Sequence, residues 1–139
     1  MARVRAVLDT NVVVSALLTE RGRDALILDL ALSGQFTLIV SDALLAEYDE
    51  VLRRPRFRLG LRKIERAMQE IRRAALHINP HAQVRAARDP DDDMILECAL
   101  AGGADYVETG NTRHFPAEFQ SIRIIPPKRF LVLLAAQVG

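Results

Sequence analysis

Three observations predict an α/β domain with a mainly parallel sheet. Short apolar runs alternate along the chain with longer stretches whose apolar residues recur at helical spacing. Gly and Pro fall between many of these segments, where turns are needed. Half of the 139 residues are hydrophobic, as a compact chain with one sizeable core requires. Alternation of this kind is the pattern of βαβ units.

The elements follow in order. Val4–Leu8 reads as a strand, and a turn or helix follows around Asn11–Leu18. Between Gly22 and Gly34, the residues Ala25, Leu26, Leu28, Leu30, Ala31 and Leu32 suit a helix that ends at Gly34. Phe36–Val40 is strand-like, and Ser41 can cap a helix running to about Arg53, before Pro55 interrupts it. A second helix is predicted over Leu61–Leu76, with His77 and Ile78 starting a short extended connection that stops at Asn79-Pro80. Asp92–Ala101 should be helical and end at Gly102-Gly103. Tyr106-Val107 and Ile122–Ile125 read as strands, and Phe130–Ala135 as a final helix. No repeat, low-complexity tract or linker interrupts the chain, so residues 1–139 are expected to form one domain.

Composition narrows the function classes. No apolar run approaches the roughly 18 residues of a membrane helix, and the start, Met1-Ala2-Arg3-Val4-Arg5, lacks the apolar core of a signal peptide. A cytoplasmic location is the expectation. Cys98 is the only cysteine, which excludes an internal disulfide or a thiolate zinc cluster within one chain. It lies on the apolar side of its helix, where a core role is expected. The net charge of +1 identifies no partner by itself.

The acidic residues carry more information. Asp9 closes the first apolar run and opens Asp9-Thr10-Asn11. Glu47 interrupts Leu44-Leu45-Ala46-Glu47-Tyr48, and Asp89-Pro90-Asp91-Asp92-Asp93 precedes a helix. Ligand sites in α/β sheets lie beyond the carboxyl ends of strands. Asp9 sits at one such end and Asn111 follows another closely. Carboxylates gathered without Cys or His partners fit Mg²⁺ or Mn²⁺, because hard cations prefer oxygen. Asp9 could equally cap the next helix, and one residue can do both.

Helical geometry distinguishes the other acids incompletely. At about 100° per residue, Asp92 shares an arc with Ile95, Leu96 and Ala99, whereas Asp93 and Glu97 fall on the more polar side. Acids in a first turn also favour the helix dipole, which accounts for Asp91 and Asp93 better than for Asp92. Leu44, Leu45, Tyr48, Val51 and Leu52 define another apolar face. Glu47 and Asp49 lie on its opposite borders, and periodicity does not choose between them.

Taken together, Asp9-Thr10-Asn11, the Leu44–Leu52 segment with Glu47, Asp89-Pro90-Asp91-Asp92-Asp93 and Ala104-Asp105-Tyr106-Val107-Glu108-Thr109-Gly110-Asn111 resemble the successive signatures of PIN-domain nucleases. The resemblance runs from Val4 to about Arg129 and is closest to VapC-like toxins of toxin–antitoxin systems. It implies a three-layer α/β/α fold and a Mg²⁺- or Mn²⁺-dependent ribonuclease acting on RNA. It selects Glu47 over Asp49, giving Asp9, Glu47 and Asp92 as catalytic metal ligands, with Asn111 and Asp93 completing the shell. Thr10, Asn11 and Thr109 would orient carboxylates or phosphate oxygens. An antitoxin protein and a homodimeric partner are implied as well.

The chain departs from the family pattern at one point. Thr109-Gly110-Asn111 stands where a Thr-x-Asp-like motif is common, and Asn offers a carbonyl oxygen without charge. Arg113 or His114 could touch a phosphate nearby, or Phe115-Pro116 could simply anchor the loop. Arg53, Arg54, Arg56, Arg58, Arg62, Lys63, Arg66, Arg72 and Arg73 crowd a region whose only acids are Glu65 and Glu70. Arg62 and Arg66 are the candidates there for a nucleic-acid backbone, against a solvated face or an acidic protein partner. Two other readings compete: a nucleic-acid-binding PIN module with weak catalysis, and a receiver-like phosphorylation domain using Lys128. The latter lacks an acidic neighbour beside Asp9.

Overall fold

The computed structural model describes residues 3–80, 86–87 and 89–138, and only the backbone of Pro90, Asp91 and Val138. Among the described residues six strands are formed: β1 (Arg5–Leu8), β2 (Thr37–Val40), β3 (Leu76–His77), β4 (Tyr106–Glu108), β5 (Glu118–Phe119) and β6 (Ile122–Ile125). They alternate with helices α1 (Thr10–Leu18), α2 (Arg23–Leu32), α3 (Asp42–Leu52), α4 (Leu61–Ala74), α5 (Pro90–Ala101) and α6 (Pro127–Val138). The sheet order is β3-β2-β1-β4-β6-β5. Every pairing is parallel except β5 with β6. Helices cover both faces of the sheet, giving the three layers α/β/α, with α5 packed on β1, β2 and β4 and α2 packed on α1 and α6.

Burial explains why these segments form these elements. Val7, Leu8, Ile39, Val40 and Val107 are fully buried, as strands covered on both faces require. Phe36 meets Phe130 of α6 edge-on, with ring centroids 4.9 Å apart, a favoured aromatic geometry. Gly102 lets α5 approach the sheet. A Cβ there would sit 2.5 Å from Cγ2 of Ile39.

The structure revises several boundaries. The helix predicted to reach Leu76 stops at Ala74, because Leu76–His77 instead adds a parallel edge strand against Ile39-Val40. The Ile78 N–H donates to the Val40 carbonyl at 2.9 Å and continues this pairing. The final helix begins at Pro127 rather than Phe130, and Pro suits a first turn, whose N–H groups have no helical partner. The antiparallel strand β5 has too short a run to give a periodic signal.

Strand order creates the feature that matters for function. From β1 the chain moves outward to β2 and β3 on one side, and later places β4 and β6 on the other. At such a switch point, the connections leave neighbouring strands in opposite directions and open a crevice at their carboxyl ends. The two strands there are β1, followed by Asp9, and β4, followed by Thr109-Gly110-Asn111.

Candidate functional site

Asp9 lies at the centre of that crevice. Its backbone N–H donates to the Glu108 carbonyl at 2.9 Å, extending the β1–β4 ladder by one residue. The side chain then turns to cap α1, with Oδ1 accepting from the Thr10 N–H at 2.8 Å. Oδ2 accepts from the Thr109 hydroxyl at 2.6 Å and from the Asn11 amide at 3.2 Å. Capping and site placement therefore coexist in this residue. Thr109 is itself fixed, because its Oγ1 accepts from the Asn111 N–H at 2.9 Å. The Gly110 N–H reaches Asn11 Oδ1 at 3.4 Å, joining the two strand ends again.

Glu47 arrives from α3. Ser41 caps that helix by accepting from the Leu44 N–H at 3.1 Å. The buried Tyr48 hydroxyl donates to the carbonyl of Leu8, the residue before Asp9. The anchor holds the adjacent Glu47 at the crevice, where the Thr10 hydroxyl donates to its Oε2. Asp49 is engaged elsewhere, accepting from Arg53 Nε at 2.9 Å. Of the two residues that periodicity left open, Glu47 lines the crevice and Asp49 does not.

Asp92 enters from the first turns of α5, and with Asp9, Glu47, Asp89, Asn111 and His114 it lines one cleft of about 500 Å³. His114 Nδ1 stands 3.7 Å from Asp92 Oδ2. Arg54, Arg56 and Phe57 line the same cleft. They come from a 3₁₀ turn, Pro55–Phe57, where the Arg56 guanidinium lies 4.8 Å from the Phe57 ring centroid.

The electrostatics reflect this crowding. Burial pushes the Asp9 carboxyl above its ordinary range, outweighing the hydrogen bonds from Thr109 and Thr10 and the nearby His114. Asp92 is pushed up to about 6, first by burial and then by Asp9 and Asp89, with Glu47 adding and His114 opposing. Like charges that share a site resist ionising together. A divalent cation would relieve that repulsion, and an all-oxygen donor set of carboxylates and an amide matches the preference of Mg²⁺ or Mn²⁺. Among the described residues, no three of His, Cys, Asp and Glu already close around a common ion position. The donor chemistry fits the ion, and the side chains still have to converge on it.

Several candidates lie elsewhere. Asp93 is the more buried of the adjacent pair, at 8% exposure, and lies outside the cleft lining. Its Oδ1 accepts from the N–H groups of Ala86 and Ala87 at 2.9 and 2.7 Å. The expectation that Asp93 lies on the polar side of its helix is corrected accordingly. Ile95, Leu96, Cys98 and Ala99 are buried as the helical wheel expects, and Asp93 is buried beside them because its carboxylate takes up the Ala86 and Ala87 N–H groups. Arg62 and Arg66 line a different groove, between α4 and the α1–α2 pair. Arg113 faces a third groove. Glu108 is fully buried and absent from the cleft lining. Cys98 is core, with burial pushing its thiol up to about 12. Lys128 is exposed on α6 and lies outside the cleft lining.

The sequence offered Asp89 only within the acidic run and Arg54 and Arg56 only within the basic stripe, and it did not single out Phe57. The available signal was Pro55, which turns the basic stretch back just after the helix bearing Glu47.

The sequence model of the PIN domain family matches residues 5–113. An uncharacterized protein of Methanocaldococcus jannaschii is 28% identical, over 93% of this chain and 90% of its own. A chain in the crystal structure of VapBC2 from Rickettsia felis, bound to a DNA fragment from their promoter, superposes with a TM-score of 0.54 at 16% identity. That likeness covers 88% of this chain and 98% of the other, and it concerns the fold.

Proposed function

Because the chain belongs to the PIN-domain family, we propose that it is a Mg²⁺- or Mn²⁺-dependent endoribonuclease, the toxin of a toxin–antitoxin pair. The observation that carries this reading is the meeting of Asp9, Glu47 and Asp92, from three separate elements, in one cleft at the sheet's switch point. These three would hold the ion, with the Asn111 carbonyl oxygen beside them. When bound, the ion lowers the pKa of an attacking water and offsets charge on the scissile phosphate.

The chain's own residues do the rest. Thr109 and Thr10 keep the Asp9 and Glu47 carboxylates aimed into the cleft. Arg54 and Arg56 stand at its wall, where guanidinium groups can hold phosphate oxygens. His114 is within reach of Asp92 and of a phosphate lying against it.

The family resemblance implies RNA as the substrate, and these cations support an anionic one. The VapBC2 neighbour supports an antitoxin protein as partner, with a homodimer and a cytoplasmic setting completing the proposal. Among the described residues, no helix is long and apolar enough to cross a membrane.

The test is RNA cleavage with and without Mn²⁺, comparing the unmodified chain with Asp9→Asn. Cleavage that requires Mn²⁺ and falls by more than about tenfold in Asp9→Asn is expected, as for losing a metal-site residue. Undiminished cleavage in a chelator would overturn the metal dependence. A second reading, RNA binding with little turnover, is favoured by the neutral Asn111 at the cleft. Retained binding without Mn²⁺-dependent cleavage would select it.

A further inference from the structure

The 3₁₀ turn Thr112–His114 separates two clefts. His114 and the preceding Asn111 face the acidic cleft. Thr112 and Arg113 face a second groove of about 420 Å³, bounded by Arg123 of β6 and Arg129 of α6. The floor of that groove is apolar, formed by Phe115, Ile124, Ile125 and Pro126, and no acid among the described residues lines it. All three arginines are exposed, and none has an ion-pair partner among the described residues. Glu118 lies opposite Arg123 across the β5–β6 pair but takes no part in the lining.

We propose that this groove binds the phosphate backbone of a single-stranded nucleic acid as it leaves the acidic cleft. The identity of the polyanion rests on the nuclease reading. The physical reason is charge. A polyanion passing Asp9, Glu47, Asp89 and Asp92 meets like charge wherever the ion does not offset it, so cations beside the cleft favour its passage. Arg54 and Arg56 supply cations on one wall of the cleft. On the side of the Thr112–His114 turn, the corresponding cations are Arg113, Arg123 and Arg129. Three guanidinium groups line one groove without a carboxylate among its described lining residues, and guanidinium groups suit phosphate oxygens. A carboxylate-rich protein segment would meet the same charge but has no reason to continue across the acids.

The test measures binding of a single-stranded RNA oligomer, by fluorescence anisotropy over a range of salt concentrations, for Arg123→Gln/Arg129→Gln and for Arg62→Gln/Arg66→Gln. Each lost phosphate contact should reduce the log–log salt slope by about 0.7 for a single strand. A drop of roughly 1.4 in the first double variant, with a smaller change in the second, is expected. Arg123→Lys/Arg129→Lys should keep the slope, and it decides the matter if the glutamine variant fails to fold. In that case a collapsed slope in the lysine pair would overturn the assignment. An unchanged slope in folded Arg123→Gln/Arg129→Gln also overturns it, as does failure of the unmodified chain to bind RNA. Loss of polyglutamate binding with an unchanged RNA slope would hand the groove to an acidic protein. The outcome is separable from the nuclease reading. A reduced slope in a chain that binds but does not cleave leaves the groove standing, and cleavage with an unchanged slope leaves only the nuclease standing.

Discussion

Asp92 and Asp93 are neighbours whose substitution should have different consequences. Asp92 faces the cleft, so Asp92→Asn should weaken Mn²⁺ binding in a titration while leaving the fold intact. Asp93 holds two backbone N–H groups, and Asp93→Ala should cost about 1–3 kcal/mol in denaturant unfolding with a smaller effect on Mn²⁺. Equal losses of metal affinity would refute the distinction. Asn111→Asp would restore a charge at the cleft and should raise Mn²⁺ affinity, limited by added repulsion from Asp9, Glu47 and Asp92. If the folded variant gains nothing, Asn111 does not face the ion. Glu108 offers a separate test, because burial, with Asp24 adding, raises its carboxyl to about 8 and its oxygens have no hydrogen-bond partner among the described residues. The unfolded chain loses this proton near pH 4.5 and the folded chain near pH 8. Between those values the folded state binds more protons, so stability falls as pH rises and levels off above the folded value. The decline should amount to roughly 3–5 kcal/mol. Denaturation at pH 5 and pH 8 should show it in the unmodified chain, and Glu108→Gln should flatten it. A slope that survives in Glu108→Gln would assign the proton to another group.

Elements were legible where their patterns were long or had clear ends. The helix over Asp42–Leu52 was announced by Ser41 and by its apolar face, and the strand over Arg5–Leu8 by its continuous apolar run. Short edge strands were not, because two residues have no period and their partners are distant in sequence. The junction of α5 with the sheet shows how close packing depends on one position. Gly102→Ala would place a methyl group 2.5 Å from Ile39 Cγ2 and 3.2 Å from the Cys98 carbonyl. Because Ile39 is itself fully buried, the strain should lower stability by about 1–3 kcal/mol. Thermal unfolding measures it, and an unchanged midpoint would mean that α5 can move outward without loss.

At the scale of the whole molecule, the acidic cleft couples metal binding to stability. Asp9 and Asp92 are held above their ordinary carboxylate range, so the folded chain carries a destabilising cluster that a divalent ion would relieve. Mn²⁺ should therefore raise the unfolding midpoint, by mass action on the folded state. Protons compete for the same oxygens. With Asp92 titrating near pH 6, the Mn²⁺-induced increase should be larger at pH 7.5 than at pH 5. Asp9→Asn should reduce the increase at both values. An equal increase in Asp9→Asn and the unmodified chain would place the responsible ion outside this cleft.

The succession of main elements and the positions of the acids along them are legible in the chain, because periodicity, caps and strand ends are local properties. Asp9 could be singled out because it ends an apolar strand, and Asp92 because it shares an arc with Ile95, Leu96 and Ala99. Which chemistry-bearing residues meet depends instead on long-range contacts. The order β2-β1-β4 sets Asp9 beside Thr109, a hundred residues away. Tyr48's bond to Leu8 brings Glu47, rather than Asp49, to the cleft. The N–H groups of Ala86 and Ala87, brought to the start of α5, engage Asp93 away from the cleft. The turn at Pro55 delivers Arg54 and Arg56, while α4 carries Arg62 and Arg66 to another groove. These outcomes depend on strand order, helix packing and the direction of a turn, and those are fixed by contacts between parts of the chain that no local window contains.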